Sequence, residues 1–86
     1  MGLERIKKGY NSFIRDLKKY VGKKLGDKEK KIVNKECELI LSLLDREGVA
    51  PKAIKYFDNL RRRILAKGKI DSGIYATLKN FEYEIH

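Results

Sequence analysis

The residues of this chain with a chemistry to offer are its lysines and arginines, and the chemistry they offer is neutralisation of a polyanion. Arg5, Lys8, Arg15, Lys19 and Lys23 recur at steps of three, four or a multiple of them, with Ser12 filling the gap. On a helix they form one cationic ridge of roughly 25 Å, opposite the apolar residues. Lys52, Lys55, Asn59, Arg62 and Arg63 form a second row, with Arg61 at its border. Ridges of this kind can follow a phosphate backbone, releasing counterions without reading base edges. The Arg61-Arg62-Arg63 run is the most pointed piece, because guanidinium groups pair bidentately with phosphate or carboxylate. Each row also has a plainer explanation. A Lys-rich face keeps a protein soluble, and Asp58, four residues before Arg62, offers an ordinary helix salt bridge.

Other chemistries find little to work with. The chain has no Gly-rich loop opening a helix, no His-Glu-x-x-His, and no serine or cysteine with a histidine to activate it. Its one histidine is His86 and its one cysteine is Cys37, so no disulfide within the chain, thiolate metal cluster or catalytic base is expected. Glu36 and Glu47 lie near the apolar side of their helix and read as rim salt-bridge partners. Tyr10, Tyr20, Tyr56, Tyr75 and Tyr83 with Phe13, Phe57 and Phe81 could stack on bases, but most fall on apolar stripes and read as core, with Tyr56 and Tyr83 the expected exposed exceptions. The expectation is a non-enzyme with no cofactor, no metal and no small-molecule substrate.

Charge supports a polyanionic partner. Lys plus Arg number 21 against 12 Asp plus Glu, for a net charge of +9. Residues 1–26 hold 8 basic and 2 acidic groups and residues 49–71 hold 7 and 2, whereas residues 27–48 hold 5 and 6. Two blocks therefore carry the excess, which suits nucleic acid, an acidic protein surface or an anionic membrane. The absence of Gln and Trp, with Lys, Glu and Ile abundant, leans toward a thermophile.

Four helices must position these rows. Leu3, Ile6, Tyr10, Phe13, Leu17 and Tyr20 predict a first helix from Leu3 to about Lys24. Asp27 is the expected N-cap of a second, Lys28 to Glu47, ended by Gly48. Within it Val33, Cys37, Ile40, Leu41 and Leu44 make one apolar facet and Ile32, Leu39 and Leu43 a second, which predicts an inner helix with two packing partners. Pro51 at a first helical position and Gly68 as a C-terminal cap bound a third helix, Pro51 to Lys67. Asp71 caps a fourth, Ser72 to about Glu84, on the stripe Ile74, Leu78, Phe81 and Ile85. Short connections make successive helices antiparallel neighbours. The expected fold is all-α, a single-domain up-and-down four-helix bundle over residues 1–86, with a three-helix core plus a loosely packed helix as the fallback. In such a bundle helices 1 and 3 are diagonal, so the two ridges face apart.

The stretch from Leu60 through Gly68-Lys69-Ile70-Asp71 to Leu78 resembles the helix, Gly-x-Ile turn, helix pattern of SHOCT-type short C-terminal domains, with Ser72 and Gly73 where that family usually has acidic residues. That resemblance implies a helical interaction module. In overall character, a Lys-rich helical chain of this size with ridges at Arg5 to Lys23 and Lys52 to Arg63 resembles the small accessory subunits of archaeal replicative B-family DNA polymerase holoenzymes. This likeness implies a DNA polymerase partner and a stabilising role on primer-template DNA. The charged start and single cysteine predict a cytoplasmic setting, with no membrane span. The leading expectation is a DNA-backbone-binding accessory protein. The alternative is an adaptor whose basic faces read acidic protein surfaces without touching nucleic acid. An amphipathic membrane anchor at helix 1 ranks last, since three other helices offer it a core to join.

Overall fold

The computed structural model describes residues 2–81, with side chains from Glu4 onward. Its elements are α1 (Gly2–Lys18), α2 (Asp27–Arg46), α3 (Pro51–Lys67) and α4 (Ser72–Asn80), with no strand among the described residues. Packing runs between α1 and α2, α2 and α3, α3 and α4, and α4 and α1, which closes the helices into an up-and-down ring of 36 × 20 × 19 Å.

Each helix contributes the stripe that its periodicity requires. Ile6, Tyr10, Phe13, Ile14 and Leu17 of α1 are buried, as are Phe57, Leu60 and Ile64 of α3 and Ile74 and Leu78 of α4. Between the diagonal helices the contact is made by rings: Phe57 lies 5.6 Å from Phe13 and 6.1 Å from Tyr10, centroid to centroid. Phe81, just past α4, joins the same cluster at 5.6 Å from Phe57 and 5.7 Å from Tyr10. The Tyr10 hydroxyl, fully enclosed, donates to the Leu78 carbonyl.

Helix 1 stops at Lys18, short of the expected Lys24. The chain instead turns at Gly22, which has a left-handed φ of 80°, and runs irregularly to Gly26. Gly22 N–H donates to the Ile70 carbonyl at 2.9 Å and Leu25 N–H to the Gly68 carbonyl at 2.8 Å. The turn buries Leu25 at one end of the bundle. We refer to this tie between the α1–α2 and α3–α4 loops as the clasp.

Helix α2 corrects two expectations. Its N-cap is Gly26, with no side-chain cap, and Asp27 is already the first helical residue, where its charge meets the positive end of the helix dipole. Only one facet is buried: Val33, Cys37, Ile40 and Leu44 face the core, while Ile32 and Leu39 are 39% and 61% exposed. With α1 and α3 both drawn to the core stripe, no helix remains to cover the second facet. Leu43, at its edge, is used where α1 crosses, and a Cβ on Gly9 would lie 3.0 Å from Leu43 Cδ2.

Helix α3 has the expected bounds, with Pro51 in its first turn and Gly68 left-handed at φ 69° after it. At the start of α4 the Asp71 carboxylate accepts from Lys67 Nζ at 2.8 Å and from Ile74 N–H at 2.7 Å. Those two donors hold its pKa below the ordinary 3.8. The stability it contributes is present above that value and is lost as pH falls through the lower, folded one. Helix α4 ends at Asn80, and the expectations for Tyr83, Glu84 and Ile85 lie outside the described residues.

Two substitutions on adjacent residues of α2 separate core from surface. Ile40→Asp buries an unpaired charge and should unfold the domain, at a cost of about 4 kcal/mol or more. Leu39→Asp should stay within about 0.5 kcal/mol of the parent in urea unfolding. At the α1–α2 crossing, Gly9→Ala should gain about 1 kcal/mol of helix propensity in a Leu43→Ala background and clearly less with Leu43 present. Equal gains in the two backgrounds would show that the crossing is not tight.

Candidate polyanion interface

The α1 row is built by the same periodicity that builds the core. Arg5, Lys8, Arg15 and Lys19 are all exposed, opposite the buried stripe, and the first three are inside the helix. The row spans roughly 21 Å from Arg5 to Lys19. Lys23 leaves it, because the helix has ended, and belongs instead to the clasp loop. Lys19 Nζ stands 5.2 Å from the centroid of the Tyr20 ring, a cation–π contact that leaves the ammonium exposed.

On α3 the arginine run divides. Arg61 is half-buried: its Nε donates to Asp58 Oδ1 at 2.9 Å and its Nη1 to Asn34 Oδ1 of α2 at 2.7 Å, with Nη2 also 2.9 Å from Asp58. Asn34 in turn donates to Glu38 at 3.1 Å. This guanidinium ties α3 to α2 and is not free to receive a ligand. Arg62 shares Asp58 at 3.1 Å but is 70% exposed. Lys52, Lys55 and Arg63 are exposed. Among the described residues ion pairs form only at Arg61, Arg62 and Lys67. Since α1 and α3 occupy diagonal corners, their rows open onto opposite sides of the bundle.

A third concentration of charge is at the clasp. Lys23 and Lys24 from one loop and Lys69 from the other are exposed there. Lys30 of α2 reaches over Gly68, with Nζ 3.5 Å from where a Cβ on that glycine would be. Sequence periodicity does not find this group, since two loops more than forty residues apart supply it. Its visible trace is composition: Gly22-Lys-Lys-Leu-Gly26 and Lys67-Gly-Lys-Ile70 both set lysines among glycines.

Cys37 lies on the buried stripe of α2. Burial pushes its thiol from 9.0 up to about 12, against a smaller opposing pull from Arg61. Tyr56, 48% exposed, stacks on Phe81 at 6.0 Å and an interplanar angle of 11°. Both rings line an open groove of about 670 Å³ between the start of α3 and the end of α4, with Ala50, Lys52, Ala53, Thr77 and Asn80. Phe81 is the last described residue, and no ligand is assigned to this groove. Among the described residues no three His, Cys, Asp or Glu side chains are grouped to hold a metal, and no helix is long and apolar enough to cross a membrane.

No family model, curated protein or solved structure matches the chain.

The raised thiol pKa sets a pH dependence. A folded value above the unfolded one contributes stability that is present below pH 9.0 and is lost as pH rises toward about 12. In urea unfolding between neutral pH and pH 11, Cys37→Ala should lose less stability with rising pH than the parent does. Native Cys37 should also resist thiol reagents at pH 8 and react once urea unfolds the domain.

Proposed function

We propose that the chain is a non-catalytic basic accessory protein that binds the backbone of duplex DNA without reading its sequence and docks on a DNA polymerase or a similar nucleic-acid enzyme. The observation that carries the DNA contact is the α1 row, in which Arg5, Lys8, Arg15 and Lys19 stand exposed along one side, none in an ion pair with another described residue. Side chains so arranged reach successive phosphates and carry no fixed geometry for base edges. The α3 row is a weaker candidate. Asp58 neutralises part of it, and it faces the opposite side, where one straight duplex lying on α1 does not reach. The polymerase partner rests on the likeness of size, charge and helical character to small holoenzyme subunits.

A protein adaptor is the second reading, and one observation favours it. Leu39 and Ile32 are exposed on α2 beside the exposed Lys35, an apolar and basic surface that an acidic amphipathic partner would suit.

Affinity for a duplex of about 30 base pairs, measured across a range of salt, tests the first reading. At ~0.9 per phosphate neutralised, the α1 cations correspond to a slope of log K on log salt near −4. Arg15→Glu with Lys19→Glu should keep the helical circular dichroism and weaken binding by roughly tenfold or more at low salt. An unchanged affinity would remove α1 from the interface. No binding even at low salt would transfer the case to the adaptor.

A further inference from the structure

We propose that the clasp is the place where the chain grips backbone phosphate most tightly, with Lys24 and Lys69 as its paired cations and Lys23 and Lys30 beside them. This inference rests on the nucleic-acid reading and names where on the molecule that reading acts.

Lys24 and Lys69 face each other as an isolated antiparallel bridge. Leu25, one residue after Lys24, donates to the carbonyl of Gly68, one residue before Lys69. That pattern makes Lys24 and Lys69 a non-hydrogen-bonded pair, the kind in which opposed side chains stand closest. Like charges directly opposite one another across a strand pair are destabilising, and an acid opposite a lysine is the usual remedy. Among the described residues no acid supplies it. Asp71, in the same loop as Lys69, is engaged by Lys67 and by the Ile74 N–H, and Glu29 folds back over Gly26. Asp16 and Asp27 are exposed, and among the described residues neither forms an ion pair with a clasp lysine.

Helix dipoles do not account for the arrangement. The C-termini of α1 and α3 favour cations and explain Lys18 and Lys67, each in a last turn. Lys24 and Lys69 lie beyond those turns, and the N-termini of α2 and α4 come to the same end with the opposite sign. The concentrated charge is thus left uncompensated by the fold, and a bound phosphate would relieve it. These exposed ammonium groups enclose no small anion, so inorganic phosphate would gain little there. A duplex gains more, because Lys19 at the end of the α1 row leads into the clasp loop and the phosphates on either side of the gripped one also find cations.

The test compares Lys24→Thr/Lys69→Thr with Lys52→Thr/Lys55→Thr, which removes the same charge from α3. Both are measured for duplex affinity across salt and for Tm. The clasp variant should bind about tenfold more weakly at low salt, with its salt slope reduced by about 2, and should melt no lower than the parent because a repulsion has been removed. The α3 variant should bind within about twofold of the parent, and Lys24→Arg/Lys69→Arg should retain parental affinity. Equal losses in the two Thr variants would overturn the proposal in favour of diffuse charge. A parental affinity in the clasp variant would overturn it while leaving the α1 row standing, and a fall in Tm that accounts for the lost binding would make the pair structural. Failure of the parent itself to bind duplex would remove the nucleic-acid reading along with this one. Millimolar inorganic phosphate should not raise the parental Tm beyond an equal ionic strength of chloride. A rise that disappears in the clasp variant would reassign the site to a free phosphate and overturn the duplex assignment.

Discussion

The fold depends on keeping dry a cluster of rings that reaches across the bundle's diagonal. Phe57 meets Phe13, Tyr10 and Phe81 at centroid distances between 5.6 and 6.1 Å. Each such pair contributes about 0.5–1.5 kcal/mol beyond the area it buries. Tyr10 can sit at the centre because its hydroxyl finds the Leu78 carbonyl, which leaves no buried donor unsatisfied at the one polar ring of the cluster. Helix α2 adds no ring. It supplies Val33, Cys37, Ile40 and Leu44, slimmer side chains that close the wall between α1 and α3. A short fourth helix suffices on the other side, because Phe81 at its end carries much of the contact.

Charge has little part in holding this core. At Arg61 a planar guanidinium on a half-buried side chain pairs with Asp58 of its own helix and donates to the neutral Asn34 of α2, so the tie it makes between helices is a hydrogen bond rather than an ion pair. The pair at Arg62 and Asp58 joins neighbours one turn apart on α3 and contributes the few tenths of a kcal/mol usual for exposed pairs, and the pair at Lys67 and Asp71 spans the short α3–α4 connection at the surface. The remaining cations repel one another across a domain with a net charge of +9. Burial carries the stability, and the surface charge is available to something outside the chain.

Elements whose limits are set by local chemistry are legible in the sequence. Pro51 and Gly68 bound α3 where expected, and Asp71 caps α4, because each acts on backbone within a few residues of itself. The end of α1 is not legible in this way. Val21 to Leu25 are periodic enough to continue a helix, but the Gly68 and Ile70 carbonyls capture the Gly22 and Leu25 amides from across the domain. Periodicity also marks Ile32 and Leu39 as apolar without revealing that four helices leave nothing to cover them. The same division runs through the candidate interface. The α1 row is visible because helical spacing makes it, whereas the capture of Arg61 by Asn34, 27 residues away, and the meeting of Lys24 with Lys69 are tertiary facts.

Which cation stands where fits this division. Where the fold needs a fixed, directional tie, between α2 and α3, it uses arginine. At the clasp every cation is lysine: 23, 24, 30, 67 and 69. Lysine is a compact, strongly hydrated point charge on a flexible stem, and it meets phosphate without the bidentate geometry that would fix one orientation. A surface meant to recognise a particular planar carboxylate or base edge would favour arginine there. Under the proposed function, a repeating polyanion held at any register needs only mobile positive charge on a firm support, and the hydrogen-bonded loops of the clasp would provide that support.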